Sequence, residues 1–141
     1  FFGSDSDSPN VFEDTVDFIK NSGLAAQNLN LLCPFPGTEI FDPFLQSGRL
    51  RYVNFPEDWE RYTLKDAVIN PKKGSALELY IRRRDAEYAL NNIPMLAQRT
   101  FHTLWETRSI YATLIALLWN RGSWRMRDYR DQIKQLEEEA T

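Results

Sequence analysis

The stretch FFGSDSDSPNVFEDTVDFIKNSG (residues 1–23) contains an apolar pair, a small polar turn and a periodic segment, in that order. The pair Phe1-Phe2 is typical of the end of a buried strand. Pro9 suits the first position of a helix, and apolar residues then recur at intervals of three and four, which predicts a helix over residues 9–22. Gly23 ends this helix, because glycine adopts the left-handed conformation of a helix terminus without strain. The stretch therefore predicts a strand followed by a helix.

A second strand and a second helix follow in the same order. The stretch AQNLNLL (residues 26–32) predicts a strand, and the loop CPFPGT (residues 33–38) ends it, because proline cannot donate a ladder hydrogen bond. Thr38 can cap a short helix over residues 39–46. Strands that alternate with helices are typical of a parallel α/β sheet, whose ligand sites lie at the carboxyl ends of the strands. We therefore expect any ligand site in the loops that follow these two strands.

The remainder of the chain differs in character. Residues 51–74 hold short apolar pieces between turns, which predicts an irregular connecting segment. From Ser75 onward the patterns are helical, and four helices are predicted: over residues 75–91, from Pro94, over residues 109–120 with an interruption at Gly122, and over residues 125–139. We expect an α/β front followed by a mainly α-helical C-terminal region.

Composition restricts the kind of site that the chain can build. With 43% hydrophobic and 26% charged residues, the 141-residue chain has the composition of a globular protein. Cys33 is the single cysteine and His102 the single histidine, which excludes an internal disulfide, a cluster held by this chain's thiolates and a multi-histidine metal site. Net charge is −6 over residues 1–70 and +3 over residues 71–141. These excesses are too small to predict a nucleic-acid partner.

Location is predicted from the apolar runs. Asp5 and Asp7 stand where a signal peptide would need an apolar stretch. The longest apolar run, residues 110–119, is about half of the roughly 20 residues that cross a bilayer. Tryptophans and arginines border it within residues 109–130, a composition that suits a membrane surface. The alternative is a helix that packs on the rest of the protein. We expect a cytoplasmic location, with a peripheral position at the inner membrane as the alternative.

Several motifs together resemble one known family. The turn F-G-S-D-S-D (residues 2–7), the loop P-F-P-G-T-E-I-F (residues 34–41) and G-R-L (residues 48–50) are similar to motifs of the cobalamin-binding-domain radical SAM enzymes. In that family they follow the fifth and sixth strands of the barrel. W-E-R-Y (residues 59–62) and N-P-K (residues 70–72), ahead of a long helix, resemble its helical C-terminal region. The resemblance covers nearly the whole chain.

The resemblance implies a fold and a reaction. Residues 1–50 would be the last two strand–helix units of a partial TIM-like barrel, residues 51–74 a connecting segment and residues 75–141 the helical C-terminal region. The implied reaction is radical methylation or rearrangement of an unactivated carbon. The implied cofactors in the full-length protein are S-adenosylmethionine, a [4Fe-4S] cluster and cobalamin. Six residues would lie near the adenosine of S-adenosylmethionine: Gly3, Asp5, Asp7, Leu32, Cys33 and Pro34.

The same family holds its cluster with a C-x3-C-x2-C loop, which this sequence lacks. We therefore expect a C-terminal fragment that binds no cofactor alone, with no catalytic and no metal-ligating residue of its own. Its expected partners are the N-terminal barrel and cobalamin domain of the same protein and a small-molecule or lipid substrate. A second hypothesis is a non-catalytic helical interaction module, associated with a membrane surface through residues 109–130.

Four features also have a purely structural interpretation. Asp5 and Asp7 are residue types that form local hydrogen bonds in turns. Cys33 suits a small buried position, and His102 a structural position on an apolar helix. The arginines at residues 82–84 are typical of a solvated helix face with acidic partners one turn away.

Overall fold

A computed structural model describes residues 1–124, 133 and 136–138 of the chain. Within these residues the regular structure is helical. The elements are α1 (Val11–Asn21), α2 (Phe41–Gln46), a 3-10 helix (Glu57–Arg61), α3 (Ala76–Asn91), α4 (Ile93–Thr107) and α5 (Ile110–Trp124).

The predicted α/β fold is wrong. The described residues form no strand and no sheet, and the two expected strands meet in a single parallel bridge between Phe2 and Leu31. The bridge does not extend because Gly3, with a φ of +99°, turns the chain away on one side. On the other side, the Leu31 amide donates to the Leu64 carbonyl, which belongs to a loop. The remnant of a barrel is therefore replaced by a helical fold with irregular segments. The division of the chain into segments 1–50, 51–74 and 75–141 stays a prediction.

Helices α1 and α3 enclose the larger of two core clusters. The face of α1 that is buried consists of Phe12, Val16 and Ile19, which agrees with the predicted periodicity. Phe2 stacks on Phe12 with ring centroids 4.1 Å apart. The cluster also includes Leu29, Leu31, Ala67, Ala76, Leu79, Tyr80, Ala86, Leu90 and Leu136. The segment predicted as the second strand therefore supplies core residues without forming a strand.

A smaller core cluster lies beneath the irregular segments. It contains Cys33, Phe41, Leu50, Tyr62, Val68 and Ile69. An antiparallel bridge joins Leu50 to Ile69, and the Arg51 amide donates to the Val68 carbonyl at 3.0 Å. The Tyr62 hydroxyl donates to the Tyr52 carbonyl at 2.7 Å. The connecting segment is therefore irregular in backbone but well packed.

Side-chain caps begin the long helices, and these starts agree with the sequence. Ser75 caps α3 by accepting a hydrogen bond from the Glu78 amide at 3.0 Å. Asn92 caps α4 in the same way, accepting from the Met95 amide at 3.0 Å.

The expected interruption at Gly122 is wrong, because α5 continues to Trp124. The helix predicted over residues 125–139 lies largely outside the described residues. No helix in the described ranges is both long enough and apolar enough to cross a membrane.

The arginines of α3 do not form one solvated face as predicted. Arg83 is fully buried and pairs with Glu87 at 2.9 Å, while its guanidinium also reaches the Leu29 carbonyl at 3.4 Å. Arg82 crosses to α1, where it binds Glu13 at 2.8 Å. The burial of Arg83 follows from tertiary packing of residues 29 and 83, which helical spacing alone does not reveal.

Candidate functional site

The turn after Phe2 is closed by the side chain of Asp7. Its carboxylate accepts hydrogen bonds from the Gly3 amide at 2.8 Å and the Ser4 amide at 3.1 Å. Gly3 is buried, and its positive φ of +99° favours glycine. A Cβ atom at Gly3 would lie 3.0 Å from Leu79 and 3.7 Å from Leu32. Asp7 therefore has a local structural role, and Gly3 marks a close approach between this turn and α3.

Asp5 is the centre of an ion-pair network. Arg49 binds its carboxylate with two hydrogen bonds of 2.7 and 2.9 Å, and the Lys72 ammonium lies 2.9 Å from the same group. Hydrogen bonds from these two cations lower the pKa of Asp5 to about 2. Arg49 is held in turn, because its Nε donates to the Asn70 carbonyl at 2.9 Å and its guanidinium lies 4.5 Å above the Phe44 ring. The network links three distant parts of the sequence.

Three residues follow the bridge and lie in different surroundings: Leu32, Cys33 and Pro34. The Leu32 amide donates to the Phe2 carbonyl at 2.7 Å, so Leu32 lies beside the Gly3 turn. Cys33 is buried in the smaller core cluster, and burial raises the pKa of its thiol to about 11. Pro34 is also fully buried. The thiol of Cys33 thus has the environment of a buried apolar residue.

A cavity of about 240 Å³ lies beside the turn, between the first residues of α1 and α3. Gly3 and Asp7 line it, together with Lys73, Gly74 and Arg82 among others. Lys73 closes one side, with its ammonium 3.1 Å from the Asp7 carbonyl. The described residues that line the cavity do not include Asp5, Leu32, Cys33 or Pro34. The six predicted site residues are therefore neighbours along two adjoining segments, but they do not share one cavity.

The donor set does not fit an iron–sulfur cluster. The whole sequence has one cysteine, whose thiol is buried, and a cluster requires about three or four thiolates. Within the described part of the chain, no three His, Cys, Asp or Glu side chains lie together as metal ligands.

Two partners of Asp5 are not evident from the sequence: Arg49 and Lys72. They lie 44 and 67 positions away along the chain. A signal was nevertheless present, because Arg49 stands in the G-R-L motif and Lys72 in the N-P-K motif. The structure shows that these two motifs meet at Asp5, the first acidic residue of the F-G-S-D-S-D turn.

A second polar network holds α4 and α5 to the body of the protein. Arg99 donates to the Asn120 side-chain oxygen at 3.0 Å and also to Gln27. Asn120 donates to the Ala25 carbonyl at 2.8 Å. Arg99 is 5% exposed, and burial lowers its pKa. This network is structural, since it joins both helices to the segment that follows α1.

The comparisons with known proteins give one partial similarity. Over 72 residues the chain is 36% identical to the bacteriochlorophyllide d C-12(1)-methyltransferase of Chlorobaculum tepidum. The match covers 51% of this chain and 14% of that protein, so the chain spans a small part of the relative's length. No family model matches the chain. No solved structure matches it either. The relative is by its name a methyltransferase, and methylation is one of the two reaction classes that the family resemblance implies.

Proposed function

We propose that the chain is the C-terminal part of a cobalamin-dependent radical SAM enzyme that methylates an unactivated carbon. The observation that carries the proposal is the network of Asp5, Arg49 and Lys72, which joins three of the resembling motifs at one place in the fold. The partial similarity to a methyltransferase supports the same reaction class. In this proposal the N-terminal barrel and cobalamin domain of the same protein are the partners, and a small molecule or a lipid is the substrate.

The chain's own residues have a limited role in this proposal. When bound, S-adenosylmethionine, a [4Fe-4S] cluster and cobalamin supply the radical and methyl-transfer chemistry, and the cluster and cobalamin are held by other parts of the protein. In this proposal Gly3 and Asp7, which line the cavity beside the turn, lie next to the adenosine, and Asp5 and the segment 32–34 support the turn from outside that cavity. Asp7 fixes the turn through two backbone amides, and Asp5 ties it to Arg49 and Lys72. These residues hold the turn beside the adenosine in place, and they transfer no proton.

The test uses the full-length protein that carries this chain, purified without oxygen. We expect it to bind S-adenosylmethionine and to methylate its substrate. We expect Asp5→Asn to weaken S-adenosylmethionine binding about tenfold, because the turn beside the cavity would lose the ion pairs that hold it to Arg49 and Lys72. Asp17→Asn is the matched control, because Asp17 is 76% exposed on α1 and lies outside the site. A full-length protein that binds no S-adenosylmethionine would show that the proposal is wrong.

A second candidate function is a non-catalytic helical interaction module. It is favoured by the large apolar side chains that α4 and α5 leave exposed, including Trp105 and Trp119 at 70% and 60% exposure. The two candidates differ in one measurement, since only the first requires methyl transfer by the full-length protein.

A further inference from the structure

The hairpin of α4 and α5 packs on the rest of the chain through polar side chains. Arg99 and Thr103 of α4 are buried, as are Thr113 and Asn120 of α5. Among the described side chains of α5, Ala116 is the only buried apolar one. In a water-exposed hairpin the opposite arrangement is expected, because burial of apolar area drives helix packing. The outer side of the hairpin is therefore the side that has apolar area left to bury.

This outer side, here called the hairpin surface, is defined by six large side chains that are between 60% and 83% exposed: Phe101, Trp105, Tyr111, Ile115, Leu118 and Trp119. Helical spacing places them away from the buried stripe of each helix. At roughly 200 Å² for a large side chain, their exposed part amounts to about 800 Å². One side of a stable interface buries about this area, and a soluble monomer rarely leaves it in water.

The hairpin surface carries no charged side chain. In the stretches 101–105 and 111–119, His102 is the only residue that can be charged near neutral pH, and its ring lies against the body of the chain, where a Cβ atom at Gly23 would be 2.7 Å from it. Glu106 and Arg108 lie beyond these stretches and have opposite charges. Aromatic side chains without charged neighbours are typical of the core of a permanent protein interface. This composition favours an apolar protein surface as the occupant.

The rest of the protein narrows the choice of that surface. Ile133 and Leu136, the described apolar residues of the C-terminal segment, pack on the larger core cluster, so they are committed elsewhere. The partially similar methyltransferase is about 500 residues long, since 72 matched residues are 14% of it, whereas this chain has 141. In the proposed full-length protein the remaining part is N-terminal and covalently joined to this chain, so it meets the hairpin surface at a high effective concentration.

We propose that the hairpin surface docks on the N-terminal part of the same protein and holds the helical C-terminal region against it. The occupant is an apolar, uncharged face of similar area. Both sides of the hairpin are then covered, the polar side by this chain and the apolar side by the N-terminal part. This inference rests on the proposed function, because that function supplies the N-terminal part.

The first test labels the full-length protein with a photolysed carbene precursor, which reacts with exposed side chains and requires no oxidant. Labelling of each residue is normalised to the protein unfolded in urea. Phe18 of α1 is the internal control, because it is 66% exposed in this chain and Phe101 is 68% exposed. We expect Phe101, Trp105 and Trp119 to be labelled at least about fivefold less than Phe18, since the core of an interface excludes solvent. If Phe101 is labelled as strongly as Phe18, the proposal is overturned.

The second test disrupts the contact with matched substitutions in the full-length protein. Phe101→Glu and Ile115→Glu place a carboxylate in the proposed interface, whereas Phe18→Glu places one on α1. We expect the first two to raise labelling of Trp119 about fivefold, because an unpaired charge is costly to bury, and Phe18→Glu to leave it within about twofold. Circular dichroism verifies that each variant keeps its helix content. Unchanged labelling of Trp119 in both hairpin variants would refute the docking.

The competing occupant and the proposed function have separate readouts. Labelling of Trp119 that rises on dilution from about 10 µM to about 0.1 µM, with a dimer in sedimentation equilibrium, would assign the hairpin surface to a second copy and refute docking within one chain. Binding of S-adenosylmethionine is measured on the same samples. Binding with an exposed Phe101 overturns the docking alone, and a protected Phe101 without binding overturns the proposed function alone.

Discussion

Asp5 shows how one exposed carboxylate can organise distant segments. Its side chain is 37% exposed, yet both oxygens accept hydrogen bonds from cations that the chain brings from residues 49 and 72. Arg49 binds in the bidentate manner that suits a planar guanidinium, which fixes geometry as well as charge. The carboxylate therefore connects the turn after Phe2 to residues that flank Leu50 and Ile69 of the smaller core cluster.

The lowered pKa of Asp5 predicts a defined pH dependence. Because the pKa is about 2 in the folded chain and 3.8 in an unperturbed aspartate, the ion pairs stabilise the fold above about pH 4, and this stabilisation is lost as the pH falls toward 2. We expect Asp5→Asn to unfold at a lower temperature than the wild type at pH 6. The two should converge near pH 2, as followed by circular dichroism.

Asp17→Asn is the control for this pH series, because its partner Lys20 lies 4.0 Å away and both are exposed. We expect its melting temperature to follow the wild type from pH 6 to pH 2. A difference between Asp5→Asn and wild type that persists unchanged at pH 2 would contradict the role given to the carboxylate.

Helix α3 combines local and tertiary determinants of its position. Its start is local, since Ser75 caps the first turn. Its orientation depends on buried polar contacts, in which Arg83 binds Glu87 one turn later and reaches the Leu29 carbonyl across the core. A buried guanidinium requires a nearby carboxylate, because an uncompensated charge in a low-dielectric interior is costly.

Removal of the buried carboxylate should destabilise the protein strongly. We expect Glu87→Gln to lower the free energy of unfolding by about 3 kcal/mol, since Arg83 would keep its charge without this partner. Asp85→Asn on the same helix removes the carboxylate from the exposed Arg84 pair, in which Asp85 is 61% exposed, and we expect a change below about 0.5 kcal/mol. Urea unfolding followed by circular dichroism measures both, and equal values for the two variants would contradict the argument.

At the scale of the whole molecule, local signals predicted α1, α3 and α4 to within two residues at each end that was predicted, and they failed for the sheet. The apolar spacing of α1 and the Ser75 and Asn92 caps are encoded within a few residues. A strand requires a partner strand. The segment predicted as a strand over residues 26–32 pairs with a single residue, Phe2, and its other side bonds to Leu64 of a loop. No short-range pattern shows this.

The candidate site was predictable in the same limited way. The sequence located the Gly3–Asp7 turn and the neighbouring segment 32–34, because both contain motifs. It could not show that Asp5 binds Arg49 and Lys72, since this pairing depends on how the chain folds back over 44 and 67 residues. The apolar pattern of α4 also does not show which of its faces is buried, and the structure leaves Phe101 and Trp105 exposed. Only the tertiary fold decides which apolar face a helix buries.

The two core clusters adjoin at residues 67–69, and we therefore expect them to unfold as one unit. Ala67 belongs to the larger cluster and Val68 to the smaller one, although they are adjacent in sequence. A Cβ atom at Gly3 would lie 3.0 Å from Leu79 of the larger cluster and 3.5 Å from Ile69 of the smaller one. The backbone bridge from residues 49–51 to residues 68–70 stiffens this junction.

A cavity in the smaller cluster should therefore weaken the larger one. Ile69 is fully buried, so Ile69→Ala should cost about 2–5 kcal/mol and should speed amide hydrogen exchange in α3 as well as near residue 69. Leu45→Ala on α2 is the control, since Leu45 is 45% exposed and should leave exchange in α3 unchanged. Faster exchange confined to residues 50–70 would mean that the clusters open separately. In that case the Gly3 turn would be a flexible junction between them, and the side of the cavity that Gly3 lines would lose its rigid support from α3.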